Sequence, residues 1–172
     1  MKMLLSAFGC LCLIVVAGAA GAYEVIWEDD AFGFGTATEI RGLVVDSNTY
    51  DVVFLWATAD SVYNTTPPGE FDFSTEQDAT DAMDAVLDAL NSVLQLERVG
   101  PLANNDTEFL IPYVMVTDTS VETRRGWDND PPWEQSPASP TVDITDLKVW
   151  ADFDAVVPVE GSTWGKIKAL YR

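Results

Sequence analysis

The chain has 172 residues, 28 of them acidic and 9 basic, with two cysteines and no histidine. A formal charge of −19 disfavours nucleic acid and anionic membrane surfaces as partners, because both reward lysine and arginine. Without histidine, Ser-His-Asp and Cys-His catalysis is excluded, and the commonest zinc ligand is missing.

The opening residues, MKMLLSAFGCLCLIVVAGAAGA, place Lys2 before an apolar run and end in the small triplet Ala20-Gly21-Ala22. That order predicts a secretory signal peptide over 1–22. The apolar run is shorter than the roughly 20 residues a membrane span needs. Cys10 lacks a lipobox before it, and Cys10 and Cys12 both fall in the predicted leader, so the chain from 23 onward holds no thiol for disulfides. A remainder of about 150 residues can bury one core without covalent staples, which predicts a single domain over 23–156. The predicted destination is secreted, periplasmic or at the cell surface. The acidity itself is read as solubility or salt tolerance ahead of divalent-cation binding.

The stretch YEVIW at 23–27 is predicted as a short first strand, followed by Glu28-Asp29-Asp30 and the flexible segment AFGFGTAT. Gly33 and Gly35 make a G-x-G, but with no helix or further glycine behind it this reads as a connection and not a phosphate loop. Residues 42–45 and 50–56 are rich in β-branched and aromatic types and flank the turn formers Asp46-Ser47-Asn48-Thr49, which predicts a β-hairpin. Alternation puts Tyr50, Val52, Phe54 and Trp56 on one face and Asp51, Val53 and Leu55 on the other. Asp51 alone interrupts the second face, so both faces are expected to be covered. No Asn-Gly specifies the turn type.

Residues 57–69 have loop composition, with Pro67-Pro68-Gly69 as the breaker. Residues 74–97 are predicted as the one helix. Ser74 with Gln77, or Thr75 with Asp78, frames a capping box, and Glu76 and Asp78 suit the positive end of the helix dipole. Ala79, Met83, Val86, Leu90 and Val93 form one apolar stripe. Asp81, Asp84 and Asp88 lie opposite and read as a solvated face rather than a cation site. Gly100-Pro101 ends the region. Residues 108–117, EFLIPYVMVT, predict a strand whose Pro112 demands an edge or a bulge.

From 118 to 140 the chain is predicted to form its longest loop, containing Arg124-Arg125-Gly126-Trp127 and then DNDPPWEQSPASP. Trp127 and Trp133 are candidates for stacking on a sugar or partner. Asp128 and Asp130 beside them are candidate ligand-binding acids, although calcium wants six to eight oxygens. Alternatively the tryptophans fold back as a lid over the sheet edge. Residues 141–153 are predicted to close the sheet. The expected architecture is α+β: a small antiparallel sheet of about five strands, in the order β-β-β-α-β-β, with one amphipathic helix packed on one face.

The pattern I-x-G-L-x-V, turn, x-Y-D-V-x-F over Ile40 to Phe54, then FDFSTEQDA at 71–79, FLIPY at 109–113 and VWADF at 149–153, resembles a known group. It is similar to the ectodomain of uncharacterised bacterial secreted proteins of the PEP-CTERM sorting-signal type. The resemblance implies a location and an architecture, with no established activity. Such ectodomains continue into a Val-Pro-Glu-Pro-like motif, an apolar span and terminal basic residues. Here Val157-Pro158-Val159-Glu160 is followed by GSTWGKIKALYR, which contains no span. Residues 157–172 read as a basic amphipathic tail, opposite in charge to the acidic body. It is expected to serve recognition or docking through Trp164, Lys166, Ile167, Lys168 and Arg172, or else to add a short element to the fold.

Together these features lead to the expectation of a non-catalytic exported protein of the cell envelope or matrix. It would work by surface contacts with an exopolysaccharide or envelope protein, without a cofactor or resident metal. The alternative is a carbohydrate- or Ca2+-dependent binding module using the acidic, Trp-bearing loop. A paired-carboxylate hydrolase is weakest, because acids are abundant and no motif selects a pair.

Overall fold

The computed structural model describes residues 23–65, 71–128 and 132–156. The predicted leader, the tail contacts Trp164, Lys166, Ile167, Lys168 and Arg172, and Asp130 lie outside the described residues.

The chain begins with β1 (Glu24–Asp29), β2 (Gly35–Val45) and β3 (Asn48–Ala57), an antiparallel meander. The predicted hairpin forms with a two-residue turn, Asp46-Ser47, since Val45 pairs with Asn48 and Asp46 takes a left-handed φ of 54°. The one acid that interrupts the apolar pattern has a local task. Between Ile40 and Leu43 the register slips, Gly42 turns left-handed at φ 68°, and its N–H donates to Asp51 Oδ1 at 2.8 Å. A bulge needs both a residue free of Cβ strain and an acceptor for its stray amide; the G…D pair supplies them.

Next come α1 (Ala59–Tyr63), inside the predicted loop, and α2 (Glu76–Asn91). Thr75 is the N-cap of α2, its Oγ1 accepting from Asp78 N at 3.1 Å. The predicted stripe is buried at Ala79, Met83, Val86 and Leu90. The helix stops six residues short of the predicted 97, at Asn91, because residues from Leu96 on have another use. They form β4 (Leu96–Val99), parallel to β2 and starting where Gly35 pairs with Leu96.

The remaining strands are β5 (Glu108–Thr117), β6 (Ser120–Asp128), β7 (Trp133–Gln135), β8 (Thr141–Asp143) and β9 (Lys148–Ala155). The bulge expected at Pro112 is present: the β5–β6 register shifts between Pro112 and Val114. The region 118–140 is not a long loop, because most of it is β6 and β7.

The five-strand antiparallel α+β expectation is therefore overturned. Among the described residues nine strands form one curled, mixed sheet resembling a half-barrel, in the order β1-β2-β3-β9-β5-β6-β7, with β4 also on β2 and β8 also on β6. Two of its pairings, β2–β4 and β5–β9, are parallel. The helix does not lie on one face of a flat layer. α2 packs on β2 at one side and on β5, β6 and β7 at the other, so the sheet curls around it. Inside the curl, α2 and the inner strand faces enclose Ile40, Val52, Phe54, Met83, Leu90, Phe109 and Val149. A smaller cluster on the outer face gathers Ala59, Tyr63, Leu110, Val121 and Trp150. Of the outer face of β3, Ala57 packs against this cluster, while Val53 and Leu55 stay half-buried outside it.

Candidate contact surface

The β6–β7 hairpin carries the predicted tryptophan pair, and its register separates the two. Trp127 pairs with Glu134 and is 38% exposed; Trp133 pairs with Asp128 and is 3% exposed. Trp133 is a core residue. Its ring packs on Phe109 at 5.9 Å, and its Nε1 donates to Leu96 O at 3.0 Å. Asn91 at the end of α2 grips its backbone, Nδ2 donating to Trp133 O at 2.9 Å and Oδ1 accepting from Trp133 N at 2.8 Å. A buried indole whose N–H is satisfied cannot stack on an external sugar. Of the stacking pair, Trp127 alone faces solvent.

Between α2 and β7 runs a surface groove of about 550 Å³ lined by Asp84, Leu87, Asp88, Asn91, Trp133, Glu134 and Gln135. Asp84 is raised above its ordinary value by crowding, then by Asp81 and Asp88, with Arg124 opposing. The predicted acidic helix face thus forms one wall of this groove. Among the described residues no three His, Cys, Asp or Glu side chains are grouped to hold a metal ion. Nor is any described helix long and apolar enough to cross a membrane.

Two large apolar side chains that sequence reasoning passed over are the most exposed of their kind among the described residues. Phe32, in the β1–β2 turn, is 81% exposed, and Leu94, between α2 and β4, is 86% exposed. They lie at the same end of the sheet, because each precedes a strand start and those starts, Gly35 and Leu96, are paired in parallel. The loops are closely joined: Gln95 O occupies the space a Cβ on Gly35 would need.

A polar network makes the Phe32 turn rigid. Asp30 is buried, and its Oδ1 accepts from Phe32 N at 2.8 Å and Phe34 N at 3.0 Å. Its Oδ2 accepts from Asn105 Nδ2 at 3.1 Å, and the same amide donates to Thr36 Oγ1 at 3.1 Å. Asn105 Oδ1 in turn accepts from Arg98, whose guanidinium stacks 4.5 Å above the Phe34 ring. Burial alone would raise the Asp30 carboxyl. The Phe34 amide, Asn105, the Phe32 amide and the Arg98 charge together hold it below the usual carboxylate range. The only local hint in the sequence was a phenylalanine set between an acid and glycines.

A third feature lies where β5 parts from β9. The two strands share one bridge, Leu110 with Trp150. Beyond it, side chains occupy the edge of β9: Tyr63 Oη donates to Ala151 O at 2.8 Å, and Asp72 Oδ2 accepts from Phe153 N at 3.3 Å. No protein-family model matches the chain, and comparison with curated proteins and with solved structures likewise finds no match.

Proposed function

We propose that the protein is a non-catalytic exported protein of the cell envelope or extracellular matrix, acting by surface contacts with an exopolysaccharide or an envelope protein. The observation that carries this reading is the exposure of Phe32 and Leu94 on adjoining loops at one end of the sheet, the Phe32 turn braced by Asp30. Large apolar side chains held out in water by a rigid backbone gain free energy only when something covers them. The leader-like residues 1–22 and the likeness to PEP-CTERM-type ectodomains support the export half of the proposal.

Its test is retention of extracted exopolysaccharide and of envelope proteins by the tagged mature chain, against the double variant Phe32→Ser/Leu94→Ser. Both side chains are exposed, so the variant should keep the wild-type melting temperature while losing retention. Equal retention by the two proteins, or none by the wild type, sinks the reading.

A carbohydrate- or Ca2+-dependent module remains a second reading because Trp127 is exposed next to Asp128. A melting temperature raised by Ca2+, reversed by EDTA and insensitive to Phe32→Ser, would select it instead.

A further inference from the structure

Phe32 and Leu94 project from one end of the sheet, and the chain leaves the described residues at the other. β2 starts at Gly35, beside the Phe32 turn, and finishes at Val45, beside the turn into β3. β9 ends next to that second turn: Ala155 pairs with Tyr50, and Val156 N donates to Thr49 O at 2.8 Å. Residues 157–172 therefore start out from the end of the sheet opposite to the exposed pair.

The exposed pair and the tail match in chemistry. The Phe32 turn is bordered by the exposed acids Glu28 and Asp29, and the Leu94 loop by the half-buried Glu97. Arg98, next to Glu97, is already taken up by the Phe34 ring, Asn105 and Asp30. This end of the sheet thus offers two bare apolar side chains within a negative rim. The tail sequence GSTWGKIKALYR carries the counterpart: Trp164, Ile167 and Leu170 recur at three-residue steps, with Lys166, Lys168 and Arg172 among and after them. Because the whole body is acidic, charge draws the tail in without choosing a place; the apolar pair chooses it. No other large hydrophobic side chain among the described residues is more than 56% exposed.

A chain cannot lay this tail on its own Phe32 turn. At the usual rise of about 3.3 Å per residue β2 alone is roughly 33 Å long, and β3 separates β9 from it. Trp164 is the eighth residue after Val156, so a fully stretched backbone carries it at most about 29 Å. The occupant must come from a second copy.

We propose that the tail of one copy docks on the Phe32 and Leu94 end of the next, so that the protein assembles head to tail. Donor and acceptor sit at opposite ends of each copy, so the contact is heterologous and builds open strings rather than a symmetric dimer. Phe32 and Leu94 keep the contact role proposed above, on which this rests, and the envelope protein they meet is another copy of this chain.

Sedimentation and light scattering of the chain 23–172 test this. The wild-type mass should rise with concentration to about twofold that of the monomer and beyond, and fall back in high salt, which screens exposed charges. Phe32→Ser/Leu94→Ser has only a tail to offer and Trp164→Ser/Ile167→Ser only the apolar pair, so each should stay monomeric alone. Mixed, they should form a one-to-one dimer and nothing larger. Lys166→Glu/Lys168→Glu should weaken assembly several-fold, and every variant should melt like the wild type. A wild type that is monomeric at every concentration overturns the proposal, as does a mixture that stays monomeric. So does assembly by Trp164→Ser/Ile167→Ser, because the apolar pairs would then meet each other. A tail variant that loses stability also overturns it, since the tail would then belong to its own fold. Retention of exopolysaccharide through Phe32 and Leu94 by a chain that stays monomeric leaves their contact role standing and removes the second copy as its partner.

Discussion

The phenyl ring of Phe109 lies over Gly126, its partner across the β5–β6 pair, and occupies the space a side chain there would take. A Cβ on Gly126 would also sit 3.0 Å from the sulfur of Met83 on α2. Phe109 is fully buried and packs edge-on to Phe54 at 5.4 Å. The missing side chain in β6 therefore lets the core ring bridge the sheet to the helix.

Gly126→Ala is expected to destabilise the protein by about 1–3 kcal/mol, the usual cost of forcing atoms into a full core. Urea unfolding followed by tryptophan fluorescence measures it. A neutral result would mean that Phe109 and Met83 give way without loss.

Tyr63→Phe removes the donor to Ala151 O and retains the ring contacts with Phe71 and Trp150. The buried carbonyl is left without that partner, so a loss of about 1–2 kcal/mol is expected. The measurement is the denaturant midpoint at unchanged m-value. A midpoint equal to the wild type would show that water replaces the hydroxyl.

Asn105→Ala should cost about 1–3 kcal/mol, because it removes donors from Asp30 and Thr36 and an acceptor from Arg98 at once. The same change should loosen the Phe32 turn, raising amide exchange at Phe34, which donates to Asp30 Oδ1. Exchange at Thr123 should rise only as far as the global loss requires.

The two carboxyls with opposite shifts predict opposite pH effects. Asp30 titrates below its ordinary value of 3.8, so the stability it contributes is complete above that value and is lost as pH falls through its folded pKa. Asp72 titrates above 3.8, so the folded state binds its proton more tightly than the unfolded chain. Stability from this group is highest below about 4 and declines as pH rises towards about 7. Melting curves should show Asp30→Asn flattening the strongly acid limb, and Asp72→Asn flattening the decline between about pH 4 and 7. An unchanged profile for either variant refutes its assignment.

Much of the architecture was legible where local chemistry and long-range packing agree. The hairpin is written in two apolar β-rich runs around a polar turn, the α2 start in Thr75 with Asp78, and its buried face in Ala79, Met83, Val86 and Leu90. The bulge at Pro112 follows from a residue without an N–H. The pieces of the resemblance also meet in space. Gly42 and Asp51 form one bulge, Asp72 binds Phe153, and Phe73, Tyr50 and Phe153 share ring contacts.

Other elements were illegible because their local signals point the wrong way. β6 contains Arg124-Arg125-Gly126, a loop-like run that becomes strand because Gly126 must admit Phe109 and Thr123 is buried against Pro140. Sequence left Trp133 open between a surface contact and a fold-back over the sheet edge; its burial was decided by Leu96 O, 37 residues away, which accepts from its indole. β4 looked like the end of a helix until β2 offered it a parallel edge. Composition, alternation and capping by themselves determined the acidic character of the chain, its hairpin, and the start and buried face of its helix. Tertiary structure alone decided which polar stretches became strands and which aromatics were buried. Those outcomes depend on hydrogen-bond partners and cavities that distant segments supply, and no local window of residues contains them.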